Sequence, residues 1–138
     1  MERPRRLRST PVLRAMVRET RLDPSSLILP LFIREGIQEP RPIDGMPGVV
    51  QHTKDSFRRE IDLAVSAGIG GVMIFGIPER RDAPGSQAVD PDGVLASAIR
   101  AARAQAKDDL VINGDPRPGE FTSQDTDGLL HSQEIVDN

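Results

Sequence analysis

The sequence predicts an α/β fold built around a parallel sheet. Three apolar runs, 27–33, 71–77 and 110–113, indicate buried strands, and two helical patterns, 54–67 and 91–107, lie between them. The runs are nearly continuous rather than alternating, which is typical of parallel strands covered on both faces. Successive strand–helix–strand units give a parallel sheet with right-handed crossovers. This pattern leaves open whether the sheet is doubly wound or part of a barrel.

A basic segment precedes the first strand. Residues 1–21 contain seven arginines and two glutamates, a balance of +5. Thr10 and Pro11 open a short helix predicted over 11–20, which is too short to be stable alone and must bury its apolar stripe elsewhere. The stripe consists of Val12, Leu13, Met16 and Val17. We expect residues 1–26 to form an arm that docks on an acidic surface of another subunit; the competing possibility is that the arm folds back over the open edge of the sheet within one chain. Nucleic acid is the weaker alternative, because the arm has no aromatic residues to stack on bases.

The first strand contains Pro30, which lacks the N–H that a central strand donates. We therefore expect this strand to be irregular or to lie at an edge of the sheet. The linker that follows, 34–53, is rich in proline and glycine, and its residues 46–49 predict a turn.

The first long helix is predicted over 54–67. Apolar residues repeat there at helical spacing, Thr53 or Asp55 is suited to cap its start, and Gly68 is suited to end it.

The second long helix is predicted over 91–107, after a linker at 78–90. Asp90 is suited to precede it, and Pro91 suits a first helical position because the missing N–H has no partner there. The third strand then gives way, from residue 116, to a loop-rich acidic tail. We expect residues 27–138 to lie in one domain, apart from the arm.

Composition narrows the class of protein. The chain has 138 residues, of which 37% are hydrophobic and 28% charged, and its only aromatic residues are four phenylalanines. No stretch has the roughly 18 apolar residues of a membrane span, and the basic N-terminus lacks an apolar signal core. With no cysteine, disulfides and thiolate metal sites are excluded. These features predict a cytoplasmic protein that does not bind membranes.

Polar residues follow the ends of two predicted neighbouring strands. In parallel α/β folds ligands lie beyond the carboxyl ends of strands. That places 75–79 and 115–127 on one rim. Asp115 ends its strand and is suited to accept a proton or to orient a substrate amine. The alternative is a carboxylate that only caps the turn after the strand.

Other candidate chemistry is weaker. Glu120, Asp125 and Asp127 offer the oxygen ligands that Mg²⁺ or Ca²⁺ prefer, but their spacing matches no calcium loop, so a solvated acidic tail is favoured. His52 and His131 are expected to be solvated loop residues.

The chain has only two lysines, Lys54 and Lys107. Schiff-base catalysis needs a desolvated lysine with a neutral amine. Neither lysine lies in a predicted strand, so both are expected at the surface.

Several strings together resemble one family over residues 3–130, nearly the whole chain. They are RPRRLRSTPVLRAMVRET, LILPLFIREG, MPGVVQHT, VMIFGIPE, GSQAVDPDG and EFTSQDTDGLL. In this order they are similar to porphobilinogen synthase, also called delta-aminolevulinic acid dehydratase. The resemblance implies an eight-stranded (β/α)₈ TIM barrel whose N-terminal arm wraps a neighbouring subunit. It implies an enzyme that condenses two molecules of 5-aminolevulinate into porphobilinogen, in tetrapyrrole and heme biosynthesis.

By this resemblance the chain corresponds to the first two fifths of a family member. It would form a partial TIM barrel of about three parallel strands and two helices with an extended N-terminal arm, and residues 27–138 would be the N-terminal part of the barrel domain. The family's two substrate-binding lysines lie on later strands, so the resemblance gives them no counterpart before Asn138.

The resemblance also identifies a departure. Family members use zinc or magnesium, and zinc-dependent members carry cysteines at the positions of Arg117, Gly119 and Asp127. Members without zinc often have aspartate there, which agrees with Asp127 as a metal ligand. Arg117 and Gly119 offer no comparable ligand, so metal binding is in doubt and a thiolate zinc site is impossible. Asp115 matches the strand-ending aspartate of the family and is the candidate catalytic residue.

Two functional hypotheses follow. The chain is part of a porphobilinogen synthase, a homo-oligomeric hydro-lyase, and is inactive alone because it lacks the Schiff-base lysines. The alternative is a degenerate, non-catalytic relative that docks on an intact synthase through its arm.

Overall fold

A computed structural model describes residues 5–82, 85–86, 90–117, 121, 129–131 and 134–137. The helices in these residues are α1 (Pro11–Val17), α2 (Lys54–Ser66) and α3 (Val94–Ala106). The strands are β1 (Ile28–Arg34), β2 (Arg41–Pro42), β3 (Val50–His52), β4 (Gly71–Ile77), β5 (Val111–Asp115), β6 (Leu129–His131) and β7 (Glu134–Asp137).

The three strands predicted from apolar runs lie side by side in one parallel sheet. The order is β2-β3-β1-β4-β5, and β4 pairs in parallel with both β1 and β5. β3 also runs parallel to β1, whereas the two-residue β2 is antiparallel to β3. The predicted parallel α/β fold is therefore confirmed. β6 and β7 form a separate antiparallel pair.

The first linker contains two strands that the sequence did not predict. β2 and β3 have two and three residues, too few to produce an apolar run. The predicted turn between them is confirmed, because the Val49 N–H donates to the Met46 carbonyl at 3.0 Å. Gly48 has φ +83°, a conformation that favours glycine, and Pro47 before it suits the preceding turn position.

Both long helices pack on the same face of the sheet, as expected for a partial barrel. Alternate residues of β1 and β4 point to this face and are buried together with the apolar sides of α2 and α3. The buried set includes Leu31, Ile33, Val72, Ile74, Phe57, Ile61, Leu95, Ala98 and Ala102. Burial of this set is the main source of hydrophobic stabilisation.

The opposite face of the sheet is only partly covered, so the expectation that both faces are buried is wrong for this chain. Phe32 stacks on Phe75 there with ring centroids 4.9 Å apart, and both remain partly accessible. Ile28 and Val111 are exposed. Pro30 also points to this face. β1 is not an edge strand, but β3 pairs with it only at Phe32 and Ile33, so Pro30 needs to donate no hydrogen bond on that side.

The start of α2 agrees with the sequence. Thr53 caps α2 in a capping box with Ser56, and Gly68, with φ +71°, follows its end.

The start of α3 differs from the prediction. This helix begins at Val94 with Gly93 as its N-cap, not at Pro91. The Asp90 carboxylate accepts the Asp92 N–H, and the Asp90 carbonyl accepts the Gly93 N–H, so these residues form a turn before the helix.

The N-terminal arm is exposed. α1 ends at Val17 rather than residue 20, because Arg18 is extended, and the Thr10 hydroxyl caps its start. α1 packs mainly on the preceding 3₁₀ turn, Arg5–Arg8, and none of its residues is buried. Val12 and Met16 are each 68% exposed. The apolar stripe therefore does not cover the sheet within one chain.

Candidate active site

Asp115 lies at the carboxyl end of β5, directly beside Phe75 of β4. The register places it on the sheet face opposite the helices, because its neighbour Gly114 faces α3. Its side chain is only 15% exposed. The prediction that the ends of β4 and β5 share one rim is confirmed for these residues.

Arg117 fixes the Asp115 carboxylate. The Arg117 Nε lies 2.8 Å from Asp115 Oδ2, and the Arg117 backbone N–H donates to Oδ1 at 3.2 Å. The backbone contact is the turn cap that the sequence offered as an alternative role for Asp115. The side-chain contact is an additional ion pair, which the sequence reasoning missed. Its only signal was a cation two residues after a strand-ending aspartate.

The rest of the rim is formed by the ends of β1 and β4. The Glu35 N–H donates to the Ile77 carbonyl at 3.0 Å, and the Glu79 N–H donates to the Glu35 carboxylate at 3.2 Å. Arg34, also at the end of β1, donates to the Gln51 side chain at 3.2 Å. The candidate ligands Glu120, Asp125 and Asp127, and also Gly119, lie outside the described residues. After Asp115 the chain returns to the core at Phe121, which is fully buried.

The described residues do not fit a metal centre at Asp115. No group of three or more histidine, aspartate or glutamate side chains comes together among the described residues, and the sequence has no cysteine. A guanidinium already stands beside the one carboxylate at this strand end. The role of Asp127 stays a prediction.

The lysines are placed as predicted. Lys54 begins α2, Lys107 follows α3, and both are exposed. An exposed lysine lacks the desolvation that Schiff-base catalysis requires.

The prediction for the histidines is wrong in its assignment to loops. His131 ends β6, and His52 ends β3 and is buried. His52 Nδ1 lies 3.2 Å from Ser56 Oγ, within the capping box of α2. The sequence missed this burial because β3 was not predicted. Burial lowers the pKa of His52 below its ordinary value of 6.5, and the charge of Glu60 opposes this effect.

The lowered pKa of His52 predicts a loss of stability on the acid side. Above about pH 7 the imidazole is mostly neutral in both the folded and the unfolded chain, so it adds little to the pH dependence of the free energy of unfolding. As the pH falls below 6.5 the unfolded chain takes up the proton first, which favours unfolding. Between about pH 7.5 and pH 5, wild type should therefore lose more stability than His52→Asn, measured as the shift in urea midpoint. Parallel losses in the two proteins would show that His52 does not contribute.

The geometry defines the class of fold to which the chain belongs. Parallel strands with helices on one face, and a polar group at a strand's carboxyl end on the other, are the features of an α/β-barrel wall. The crystal structure of delta-aminolevulinic acid dehydratase (porphobilinogen synthase) from Toxoplasma gondii, in complex with the reaction product porphobilinogen, superposes with a TM-score of 0.89 and 31% identity. The match covers 99% of this chain and 39% of that one. The fold is thus part of a TIM barrel.

Sequence comparison gives the family. The family model for delta-aminolevulinic acid dehydratase matches residues 1–138, so this chain belongs to the delta-aminolevulinic acid dehydratase family. It is 51% identical over 138 residues to the Streptomyces coelicolor dehydratase and 38% identical over 138 residues to that of Escherichia coli. The matches cover 99% and 100% of this chain and 42% of each relative. The chain therefore spans about two fifths of the length of these relatives.

Proposed function

We propose that this chain forms the N-terminal part of a porphobilinogen synthase, which condenses two molecules of 5-aminolevulinate into porphobilinogen. The observation that carries the proposal is the partly buried Asp115 carboxylate at the carboxyl end of β5, on the sheet face that the helices leave open. Family membership and a structural neighbour solved with porphobilinogen support it.

In this proposal Asp115 orients or deprotonates the substrate amine. A carboxylate fixed by two donors presents its remaining lone pairs in a defined direction, which suits an ammonium group or a proton in transfer. The neighbouring Phe75 supplies an apolar wall on the same face. The site resembles other barrel sites, in which catalytic groups come from the carboxyl ends of several strands.

The 138-residue chain alone is proposed to be inactive. The family reaction uses Schiff-base lysines, and Lys54 and Lys107 are exposed residues at helix ends. The described sheet also presents one open face, so water reaches the site.

We expect the purified chain to form no porphobilinogen from 5-aminolevulinate, with zinc or magnesium added. Borohydride treatment in the presence of substrate should leave the intact mass unchanged, because neither lysine is desolvated. A stoichiometric adduct on Lys54 or Lys107 would show that a surface lysine is activated. The positive control is a chimera in which residues 1–138 replace the matching part of the Streptomyces coelicolor relative. This chimera should form porphobilinogen, and an inactive but folded chimera would count against the proposed function.

The exposed arm supports a second proposal, homo-oligomer formation. Val12 and Met16 lie on one side of α1 and are solvent-exposed, although a helix of seven residues gains order only by packing. The arm's arginines would steer it to an acidic surface, an effect that salt screens. The alternative, docking of a non-catalytic relative on an intact synthase, uses the same surface.

Removal of residues 1–21 is expected to lower the sedimentation coefficient at low salt. The full chain should also dissociate partly as salt rises, since its steering charges are screened. A full chain and a shortened chain that are both monomeric at every salt concentration would exclude homo-oligomer formation through the arm.

In the part of the chain that the structure describes, no helix is long and apolar enough to span a membrane.

A further inference from the structure

The position next to Asp115 is already occupied by a cation of the chain itself. Arg117 places Nε at 2.8 Å from Oδ2 and its backbone N–H at 3.2 Å from Oδ1, so each carboxylate oxygen accepts one hydrogen bond from the same residue. The carboxylate is mostly buried while the arginine side chain is 57% exposed. The guanidinium therefore occupies contact distance on the Oδ2 side of Asp115, where a metal ion bound to that oxygen would also have to lie.

We infer that Arg117 takes the place of a divalent cation at Asp115, so that this part of the site works without a metal ion. A divalent ion that binds Asp115 must either displace the guanidinium or sit beside it. The first breaks a charge-assisted hydrogen bond, and the second puts two positive charges a few ångströms apart. Both penalties are larger than at a fully exposed carboxylate, because the partly buried Asp115 side chain is less screened by water.

The same arrangement gives Arg117 a positioning role. Arg117 Nε donates to Asp115 Oδ2. This hydrogen bond orients the planar guanidinium and fixes its positive charge at the strand end. The arginine charge partly offsets that of the carboxylate, as a metal ion would, but a chelator cannot remove the arginine. The inference rests on the proposed function only in treating this rim as the face that meets the substrate.

The test measures metal binding without any substrate. Mn²⁺ is titrated into the ¹⁵N-labelled 138-residue chain, and broadening of the amide signals of Asn113, Gly114 and Asp115 reports the ion. Arg117→Ala should bind Mn²⁺ at least about tenfold more tightly at these amides than wild type does, because the competing positive charge is gone. Arg117→Lys should stay close to wild type, since it keeps the charge. Asp115→Asn combined with Arg117→Ala should lose the gain.

A matched control is the exposed pair of Arg100 and Asp92, whose closest charged atoms are 3.5 Å apart. Arg100→Ala frees a solvated carboxylate and should change Mn²⁺ binding little near Asp92. An equal gain at Asp92 would show that any freed carboxylate attracts the ion and would overturn the inference. So would equal Mn²⁺ affinity in wild type and Arg117→Ala, whether both bind or neither does. An inactive chimera, by contrast, would count against the proposed function and leave this result unchanged.

Discussion

Phe57→Ala is expected to lower the free energy of unfolding of the 138-residue chain by about 3–5 kcal/mol. Phe57 is 1% exposed and is among the largest fully buried side chains. It projects from α2 beside a cavity of about 150 Å³ whose lining includes Ile33, Val94 and Ala98. Removal of the ring enlarges this space, and the sheet and α3 cannot close on it without losing other contacts. The cost therefore combines lost burial with a larger cavity.

Urea unfolding followed by circular dichroism measures this effect. Leu63→Ala on the same helix is the matched control, because Leu63 is 60% exposed and its loss should change stability by no more than about 0.5 kcal/mol. Phe57→Leu keeps much of the buried volume and should cost less than Phe57→Ala, so it gives a measurable transition if the alanine variant does not fold. Equal losses for Phe57→Ala and Leu63→Ala would contradict the described packing of α2.

The strands and helices that the sequence predicted correctly are those with a strong apolar pattern. The runs at β1, β4 and β5 are long enough to stand out, and α2 carries both an apolar face and a polar cap at Thr53. Such patterns are dictated by burial and are visible without tertiary information.

The errors have a different origin. β3 exists because Phe32 and Ile33 of β1 offer it a pairing edge, and no local pattern in three residues signals this. The burial of His52 follows from that pairing. α3 begins at Val94 rather than Pro91 because the Asp90 carboxylate accepts the Asp92 N–H. This hydrogen bond forms a local turn that competes with helix formation.

The candidate site was predicted in part. The position of Asp115 follows from strand order alone, because carboxyl ends of parallel strands share a rim. Its ion pair with Arg117 depends on the conformation of the turn between them, which sequence spacing does not fix. Whether a metal ion can bind at Asp115 depends on the same ion pair. The resemblance shows only that Arg117 stands where zinc-dependent members carry a cysteine, not that its side chain contacts Asp115.

The largest functional effect is expected for Asp115→Asn. In the chimera with the Streptomyces coelicolor relative, this change should lower kcat/KM for porphobilinogen formation by about 100- to 10,000-fold. The amide has nearly the same shape as the carboxylate, but it cannot accept a proton at neutral pH or pair with an ammonium group. The turn can survive the change, because the amide oxygen can still accept the Arg117 N–H.

Two further variants separate catalysis from structure. Asp109 is exposed and lies just before β5, at the opposite end of the strand from Asp115. Asp109→Asn should therefore keep kcat/KM within about threefold of the unmodified chimera. Asp115→Glu keeps the charge but moves it, so it should retain more activity than the asparagine variant if charge is what the substrate meets. If Asp115 only caps the turn, Asp115→Asn should reduce the urea midpoint and kcat/KM only slightly, because the remaining hydrogen bond suffices for the backbone. A large fall in kcat/KM at an unchanged urea midpoint is therefore the result that assigns the carboxylate to the reaction rather than to the fold.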